Sequence, residues 1–221
     1  MKPAIIVAYK DRGDPYRRAS FEWTSSYWRD LAVTDEFIVS CPEPFTRPSA
    51  INEAVRGSSA DVFLQADPDS VVPPAQAAAA VKAASDHPGL VVAFSNWRYL
   101  TEAASARMMA GDISDMACDE EGWDTGVGNC VAFSRETWMA VSGFDERFNG
   151  VWGGCDGAFA FACGTLVAAL RRVEGPMYHL WHPRPPESVP GHPEYMRQHM
   201  LLRRYRDAAG DVKLMRKVIK R

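Results

Sequence analysis

The sequence predicts an α/β fold with a mixed, mostly parallel central sheet flanked by helices. Short apolar segments rich in β-formers alternate with helical segments over the first hundred residues, which is typical of sheets with parallel strands. Most of these apolar segments end at a polar residue or a proline. The chain has 221 residues, 47% of them hydrophobic, which is enough for one substantial core. We therefore expect a single domain over residues 1–221.

The first half contains four predicted strands and three predicted helices. The strands are AIIVAY (4–9), EFIVSCP (36–42), DVFLQAD (61–67) and GLVVAFSNWRYL (89–100). The helices cover 17–31, 49–57 and the alanine-rich stretch that begins at 73. Ser49 is a predicted N-cap, and Gly57 is the predicted end of the second helix.

The second half is less regular. Residues 102–127 contain many Asp and Glu side chains, and this composition predicts a mobile surface loop. Residues 128–148 predict a strand, a short helix and a turn, and a glycine-rich loop then leads into another helix. GPMYHLWHP predicts a last strand that Pro183 ends. From Arg197 onward nine Lys or Arg stand against two Asp, which predicts one or two amphipathic helices.

Composition narrows the class of protein. A net charge of -3 does not mark the whole chain as a nucleic-acid binder. The five cysteines include no CxxC pair, which favours reduced thiols and a cytoplasmic protein. The apolar run at the start is too short for a signal peptide or a membrane span, so we expect no transmembrane segment.

Side chains suited to a metal-bound polyphosphate follow the ends of several predicted strands. In open α/β sheets, ligands bind at the carboxyl ends of the strands. The residues that follow strand ends are Tyr9, Lys10, Asp11, Arg12, Phe45, Arg47, Asp67, Asp69, His179 and His182. Oxygen ligands suit Mg²⁺ or Mn²⁺, and a histidine favours Mn²⁺.

The paired carboxylates Asp67 and Asp69 are weak indicators by themselves. A D-x-D triplet occurs in such a sequence about once by chance, and a solvated turn explains it in isolation. Two carboxylates so close together repel each other, and a cation between them would offset that repulsion. Their place among the basic residues and histidines favours the metal interpretation.

Four stretches in order resemble one enzyme family. They are VAYKDR (7–12), FTRPSAIN (45–52), FLQADPDSVVPP (63–74) and the long block GNCVAFSRETWMAVSGFDERFNGVWGGCDGAFAFA (128–162). Together they resemble the GT-A glycosyltransferases, closest to the beta-1,4-galactosyltransferase and polypeptide N-acetylgalactosaminyltransferase group. The resemblance covers roughly residues 5–182. It implies a GT-A fold with a nucleotide-sugar-binding half (1–100), an acceptor and catalytic half (101–185) and a basic helical tail (186–221).

The resemblance also implies roles for individual residues. Asp69 would contact the metal, Asp67 the ribose or a metal-bound water, and His179 would be the histidine ligand. His182 is the alternative, because residues three apart on one strand face opposite ways. The implied donor-binding residues are Ala8, Tyr9, Lys10, Arg12, Phe45, Arg47, Asn52, Asp67, Trp152, Gly153 and Gly154, and the implied acceptor-binding residues are Asn129, Trp152 and Cys155. Trp152 would close over a nucleotide-sugar donor, such as UDP-hexose, or pack in the core.

Asp156 is the candidate general base. A carboxylate within reach can take the proton of an attacking acceptor hydroxyl, and direct displacement with one base inverts the anomeric carbon. The alternative is an N-cap, because Asp156 begins an apolar helix. The family usually has acidic residues on both sides of this aspartate, where this chain has Cys155 and Gly157. That departure leaves the acceptor unidentified.

Two other functions fit the sequence. A nucleotidyltransferase shares the strand arrangement, although the glycine run expected after its first strand is missing here. A non-catalytic module that binds a sugar nucleotide or glycan is the second. The basic tail also predicts a weak contact with an anionic surface.

Overall fold

The predicted alternation of strands and helices is present over the first hundred residues. The computed structural model describes residues 2–31, 34, 36–113, 116–150, 154–185 and 188–220. The strands are β1 (Pro3–Ala8), β2 (Glu36–Ser40), β3 (Val62–Ala66), β4 (Ser70–Val71), β5 (Val91–Val92), β6 (Asn96–Leu100), β7 (Cys118–Trp123), β8 (Cys130–Ser134), β9 (Arg171–Arg172) and β10 (Pro176–His179). The helices are α1 (Pro15–Asp30), α2 (Arg47–Gly57), α3 (Pro74–Asp86), α4 (Glu102–Met109), α5 (Arg135–Ala140), α6 (Cys155–Leu166), α7 (Pro193–Asp207) and α8 (Val212–Ile219).

The larger sheet has six strands in the order β2-β1-β3-β8-β5-β9. Strand β1 is parallel to both β2 and β3, and β5 is parallel to β9. Strand β8 runs antiparallel between β3 and β5. The prediction of a mixed, mostly parallel sheet flanked by helices is confirmed.

A smaller sheet has the order β4-β10-β6-β7, and it corrects two predictions. The segment 89–100 is not one strand, because β5 belongs to the larger sheet and β6 to the smaller one. The amides of Ser95 and Asn96 both donate to the carbonyl of Gly175, where the chain passes between the sheets. The segment 102–127 is not wholly irregular, because it contains α4 and β7. The acidic residues of β7 are typical of a loop, so the sequence did not predict this strand. Among the described residues, β7 pairs with β6 alone.

Aromatic rings fill much of the core on the larger sheet. Phe63 of β3 and Phe133 of β8 are fully buried, and their ring centroids are 5.8 Å apart. Phe144 and Phe159 stack at 4.0 Å beside them. Burial of each such ring stabilises the fold by about 1.5–3 kcal/mol. This core holds the strand ends in fixed positions.

Two helices begin earlier than the sequence predicted, and each start places an arginine at the carboxyl edge of the sheet. Helix α1 begins at Pro15, because the side chain of Asp14 accepts hydrogen bonds from the amides of Tyr16 and Arg17. Helix α2 begins at Arg47, and its N-cap is Thr46 in a reciprocal capping box with Ser49. The prediction of Ser49 as the N-cap was therefore wrong.

The basic tail forms two helices, α7 and α8, which pack against α6. The hydroxyl of Tyr205 donates to Asp145 Oδ2 at 2.7 Å, and Arg147 Nη2 donates to the carbonyl of Val218 at 2.7 Å. These bonds join both tail helices to the turn after α5. In the part of the chain that the structure describes, no helix combines the length and apolar character needed to cross a bilayer. The contact of the tail with an anionic surface stays a prediction.

Replacing Arg135 by alanine should destabilise the fold. Its guanidinium donates to the carbonyls of Val55, Ser58 and Ala60 at 2.7–3.0 Å, around the end of α2. We expect Arg135→Ala to lower the free energy of unfolding by about 2–4 kcal/mol, measured by urea denaturation. The control Arg56→Ala removes a side chain that is 56% exposed and should cost at most about 0.5 kcal/mol. Equal unfolding midpoints for the two variants would contradict this role of Arg135.

Candidate active site

Three side chains form a group with metal-ligating atoms. His179 Nε2 lies 3.5 Å from Asp69 Oδ1, and His182 Nε2 lies 3.4 Å from Asp69 Oδ2. One ligand atom from each residue lies within 4.8 Å of the other two. The site combines one carboxylate with two imidazoles, which suits a divalent transition ion better than an all-oxygen site does. We call Asp69, His179 and His182 the metal cluster.

Backbone pairing brings the metal cluster together. Strand β4 pairs with β10 so that Ser70 lies opposite His179, and the amide of Leu180 donates to the carbonyl of Asp69 at 2.7 Å. The expectation that only one of the two histidines can reach the site was wrong. Strand β10 ends at His179, so the alternation of a strand no longer governs His182, and both rings reach Asp69.

The charge of Asp69 is balanced inside the protein. Burial by itself would raise the pKa of Asp69, but His179, His182 and Arg17 together hold that pKa well below its usual range. Burial lowers the pKa of His179, which favours the neutral imidazole that binds metals. Burial also acts to lower the pKa of His182, but the hydrogen bond to Asp69 outweighs it and raises the pKa.

Arg17 is a site residue that the sequence reasoning missed. Its Nη2 atom lies 3.4 Å from Asp69 Oδ2, and its side chain is 36% exposed. The missed signal was Asp14-Pro15, which marks a helix start and puts Arg17 in the first turn of α1. Arg17 thus adds a partly exposed positive charge beside the metal cluster.

A second group of charges centres on Arg47. Its guanidinium donates to Asp67 Oδ1 from Nε at 3.0 Å and from Nη2 at 2.7 Å, and to Asp156 Oδ1 from Nη1 at 2.5 Å. Nη1 also lies 3.3 Å from the sulfur of Cys155. Among the described residues, the metal cluster does not include Asp67, whose carboxylate contacts Arg47 and Gln65 instead. The interpretation of Asp67 and Asp69 as a pair of metal ligands therefore has support for Asp69 alone, and the implied contact of Asp67 with the ribose or a metal-bound water stays a prediction.

Burial is the largest single influence on the pKa values of Arg47, Asp67 and Cys155. It acts against the positive charge of Arg47, but the two carboxylates outweigh it and raise the pKa of the guanidinium well above its ordinary value. For Asp67 burial is the larger effect and raises the pKa to about 6, although Arg47 acts to lower it. Burial also raises the pKa of Cys155 to about 12, so the thiol stays protonated at neutral pH.

Asp156 is not the N-cap of its helix. The N-cap is Gly154, in the left-handed region at φ 75°, and no side chain caps this end. Asp156 lies in the first turn of α6, where the helix dipole favours a negative charge, and its carboxylate is directed to Arg47. The side chain is 22% exposed, so solvent or a ligand can reach it. The general-base assignment stays a prediction.

The other predicted site residues occupy varied positions. Ala8 ends β1, and the ring of Tyr9 stacks on Phe21 at 3.8 Å. Lys10 pairs with Glu43 at 2.6 Å, Arg12 is exposed, and Phe45 packs against the core. The carbonyl of Asn129 accepts a hydrogen bond from the amide of Asp67 at 2.7 Å. Trp152 and Gly153 lie outside the described residues.

Asn52 has a structural role rather than the predicted contact with the donor. It is 1% exposed, and its amide nitrogen donates to the carbonyl of Phe144 and to Glu146. Its side-chain oxygen accepts from Trp138 Nε1 and from the amide of Phe144. These bonds occupy the side chain inside the protein and join α2 to the turn after α5.

We expect Asn52→Ala to lower the free energy of unfolding by about 2–4 kcal/mol, because it leaves buried polar groups unpaired. Affinity of the folded variant for UDP should stay within about twofold of wild type, measured by calorimetry well below the unfolding temperature. The exposed neighbour Glu53 supplies the control, Glu53→Ala, which should change neither quantity. A stable Asn52→Ala protein that has lost UDP affinity would restore the donor-binding role.

Comparison with solved structures identifies the fold. Glucosyl-3-phosphoglycerate synthase from Mycobacterium tuberculosis, solved with Mn²⁺, UDP and phosphoglyceric acid, is 16% identical, with a TM-score of 0.57 over 96% of this chain and 80% of that one. GalNAc-T7 with UDP, GalNAc and Mn²⁺ is 12% identical, with a TM-score of 0.57 over 98% of this chain and 54% of that one. Drosophila β-1,4-galactosyltransferase 7 with manganese, UDP-Gal and xylobiose is 13% identical, with a TM-score of 0.50 over 78% of this chain.

These neighbours are glycosyltransferases of the GT-A fold, and the predicted GT-A fold is confirmed. The chain spans 65% of the galactosyltransferase chain and about half of the GalNAc-T7 chain. Neither the protein-family models nor the curated proteins gave a significant match to the sequence.

Proposed function

We propose that this chain is a metal-dependent, inverting glycosyltransferase that moves a hexose from a UDP-linked donor to an acceptor hydroxyl. The observation that carries the proposal is that two groups of charged side chains meet just after the end of strand β3. Asp69 belongs to the metal cluster, and Asp67, two residues earlier, belongs to the Arg47 group that holds Asp156. In open α/β sheets, ligands bind at the carboxyl ends of the strands, and both groups lie at such an end. The solved neighbours hold UDP together with Mn²⁺.

The metal cluster fits Mn²⁺, with Mg²⁺ as the alternative. Its ligand atoms are close enough to share one ion, and a neutral His179 supplies an imidazole lone pair. A bound divalent ion would neutralise the negative charge that develops on the β-phosphate of the departing UDP. One neighbour was also solved with Mg²⁺ and UDP, which supports the alternative for this site.

Basic and aromatic residues around the strand ends would bind the donor. Arg17 is partly exposed beside the metal cluster, where its charge would attract a diphosphate. Ala8 ends β1, the next residues Tyr9, Lys10 and Arg12 follow it, and Phe45 precedes α2, so these residues border the same edge. We assign the nucleotide to this side of the sheet.

Asp156 would take the proton of the acceptor hydroxyl. Its bond to Arg47 fixes one carboxylate oxygen, Oδ1, and the other lies close to Gly128, where a Cβ would be 3.1 Å from Oδ2. A glycine there leaves space beside Oδ2 for an acceptor. Attack from this side on the anomeric carbon, with UDP leaving from the opposite side, inverts the configuration.

A panel of sugar nucleotides, with and without Mn²⁺, separates this proposal from its rivals. Metal-dependent release of UDP supports a glycosyltransferase. Release of pyrophosphate supports a nucleotidyltransferase, and binding without turnover supports a non-catalytic module.

Asp69→Asn should remove Mn²⁺-dependent binding of UDP. The substitution keeps the shape of the side chain but removes the charge that attracts the ion, so we expect at least about a hundredfold loss of affinity in the presence of Mn²⁺. Calorimetry with UDP, in Mn²⁺ and in EDTA, measures the difference. Asp86→Asn, which changes a carboxylate on the far end of α3, is the control and should bind like wild type. Unchanged Mn²⁺ dependence in Asp69→Asn would remove the metal assignment.

Asp156→Asn should bind the donor and fail to transfer it. Asparagine can still accept the bond from Arg47 but cannot take a proton, so we expect kcat to fall by about 10²–10⁴-fold while UDP affinity stays within about threefold. The exposed residue Asp124, at φ 49°, allows the matched control Asp124→Asn, because asparagine tolerates that backbone conformation. Normal turnover by Asp156→Asn would leave this residue with a structural role alone.

A further inference from the structure

A row of aromatic rings extends from the metal cluster across the smaller sheet. His179 of β10 lies opposite Tyr99 of β6, so the two side chains share one face of the sheet. Trp97, two residues before Tyr99, shares that face. The ring centroids are 4.4 Å apart for His179 and Tyr99 and 5.2 Å apart for Tyr99 and Trp97. We call Trp97 and Tyr99 the aromatic row.

Gly122 allows the outer ring of the row to lie directly on the sheet. It is opposite Trp97 in the pairing of β6 with β7. A Cβ at Gly122 would lie only 2.4–2.8 Å from three atoms of the indole, so any side chain there would displace the ring. The indole nitrogen donates to Thr125 Oγ1 at 2.9 Å, which fixes the orientation of the ring. Trp97 remains partly exposed, so the sheet presents an oriented aromatic surface.

The loop from β7 to β8 connects this surface to the candidate base. Its Thr125 accepts a hydrogen bond from the indole, and the carbonyl of its Asn129 accepts one from the amide of Asp67, two residues before Asp69. Between them, Gly128 lies against the carboxylate of Asp156. The aromatic row, the metal cluster and Asp156 therefore border one region of the surface.

Polar groups flank the aromatic row. Glu120 lies opposite Tyr99 and pairs with Arg184 at 2.7 Å, and both side chains are at least 48% exposed. A sugar ring has an apolar C–H face and a rim of hydroxyls, and it matches an aromatic surface with hydrogen-bonding groups at its border. A nucleic acid matches less well, because the carboxylates of Asp119, Glu120 and Glu121 on β7 would repel its phosphates.

We propose that the aromatic row is the acceptor subsite and that the acceptor is a carbohydrate. A pyranose ring stacks on Trp97 and Tyr99, and one of its hydroxyls is directed to Asp156. This inference rests on the proposed glycosyltransferase function and names its acceptor class. It also accounts for an acceptor side that has Cys155 and Gly157 in place of acidic residues, because recognition then comes from the smaller sheet.

The test measures UDP release by the full chain with Mn²⁺ and UDP-glucose or UDP-galactose. The acceptor probes are methyl β-D-glucopyranoside, methyl β-D-galactopyranoside, cellobiose and lactose, and a serine-containing peptide and a single-stranded oligonucleotide are the probes of other classes. We expect at least one sugar to increase UDP release with saturation. Trp97→Ala should raise the half-saturating concentration of that sugar about tenfold, and Trp97→Phe, which keeps a ring, by less than about threefold.

Two further variants distinguish the stacking of a sugar on Trp97 from a purely structural role of its ring. Trp123→Ala removes a side chain that is 61% exposed and, from its register, faces the opposite side of the sheet. Thr125→Val removes the partner of the indole nitrogen. Trp123→Ala should match wild type in the half-saturating concentration of the sugar. Thr125→Val keeps the ring but removes the bond that orients it, so it should raise that concentration by less than about threefold. Thermal melting checks that every variant is folded.

Several results would overturn the inference. They are stimulation by the peptide or oligonucleotide alone, UDP release that no sugar increases, and an unchanged half-saturating concentration in Trp97→Ala. Equal defects in Trp97→Ala, Trp97→Phe and Thr125→Val would also overturn it, because they would mean that the indole only anchors the loop. In contrast, a wild-type chain that neither binds UDP nor releases it from any donor contradicts the proposed function itself.

Discussion

The buried carboxylate of Asp69 is the constraint around which this edge of the molecule is organised. Its side chain is 4% exposed, and an unpaired charge at such a place would cost several kcal/mol. Three groups that can carry positive charge surround it, Arg17 from α1 and two histidines from the end of β10. Thr24 of α1 also bonds to the carbonyl of Pro68 in the same turn. The start of α1, the turn after β3 and the end of β10 are therefore fixed relative to one another.

Arg47 offsets the negative charge of two further carboxylates. Asp67 and Asp156 are more than eighty residues apart in the chain and would repel each other without the guanidinium between them. The bonds also hold the N-terminus of α6 against that of α2. An ion pair with Arg47 is thus compatible with the proposed role of Asp156 as general base, since the bond to Arg47 occupies only one of its oxygens.

In the proposed function, the two sheets contribute to the binding of different substrates. The larger sheet presents the strand ends and helix starts that suit a nucleotide, while the smaller sheet contributes His179 and the aromatic row. Strand β10 connects the two proposed binding sites. Its last residue, His179, belongs to the metal cluster and also contacts Tyr99, the ring that leads to Trp97. A donor on one side and an acceptor on the other would then meet near Asp156.

Local sequence patterns predicted the alternation of strands and helices in the first half, the chemical types at the strand ends and the GT-A resemblance. These depend on apolar periodicity, on proline and on capping residues, which act within a few positions of the chain. The sequence also identified Asp69, His179 and Arg47 as residues of one edge. It did not show the smaller sheet, since β6 and β7 carry polar residues and β6 also pairs with β10, far along the chain.

The grouping of these residues depends on how distant segments of the chain pack together. That packing brought both histidines to Asp69, added Arg17, turned Asp67 to Arg47 and buried Asn52 among the bonds that stabilise the fold. The reason is that a charge buried in a protein takes its partners from whatever segments the packing brings near, and sequence distance does not restrict that choice. Local patterns therefore predicted the types of side chain at this edge of the sheet, and long-range packing determined which of them lie together.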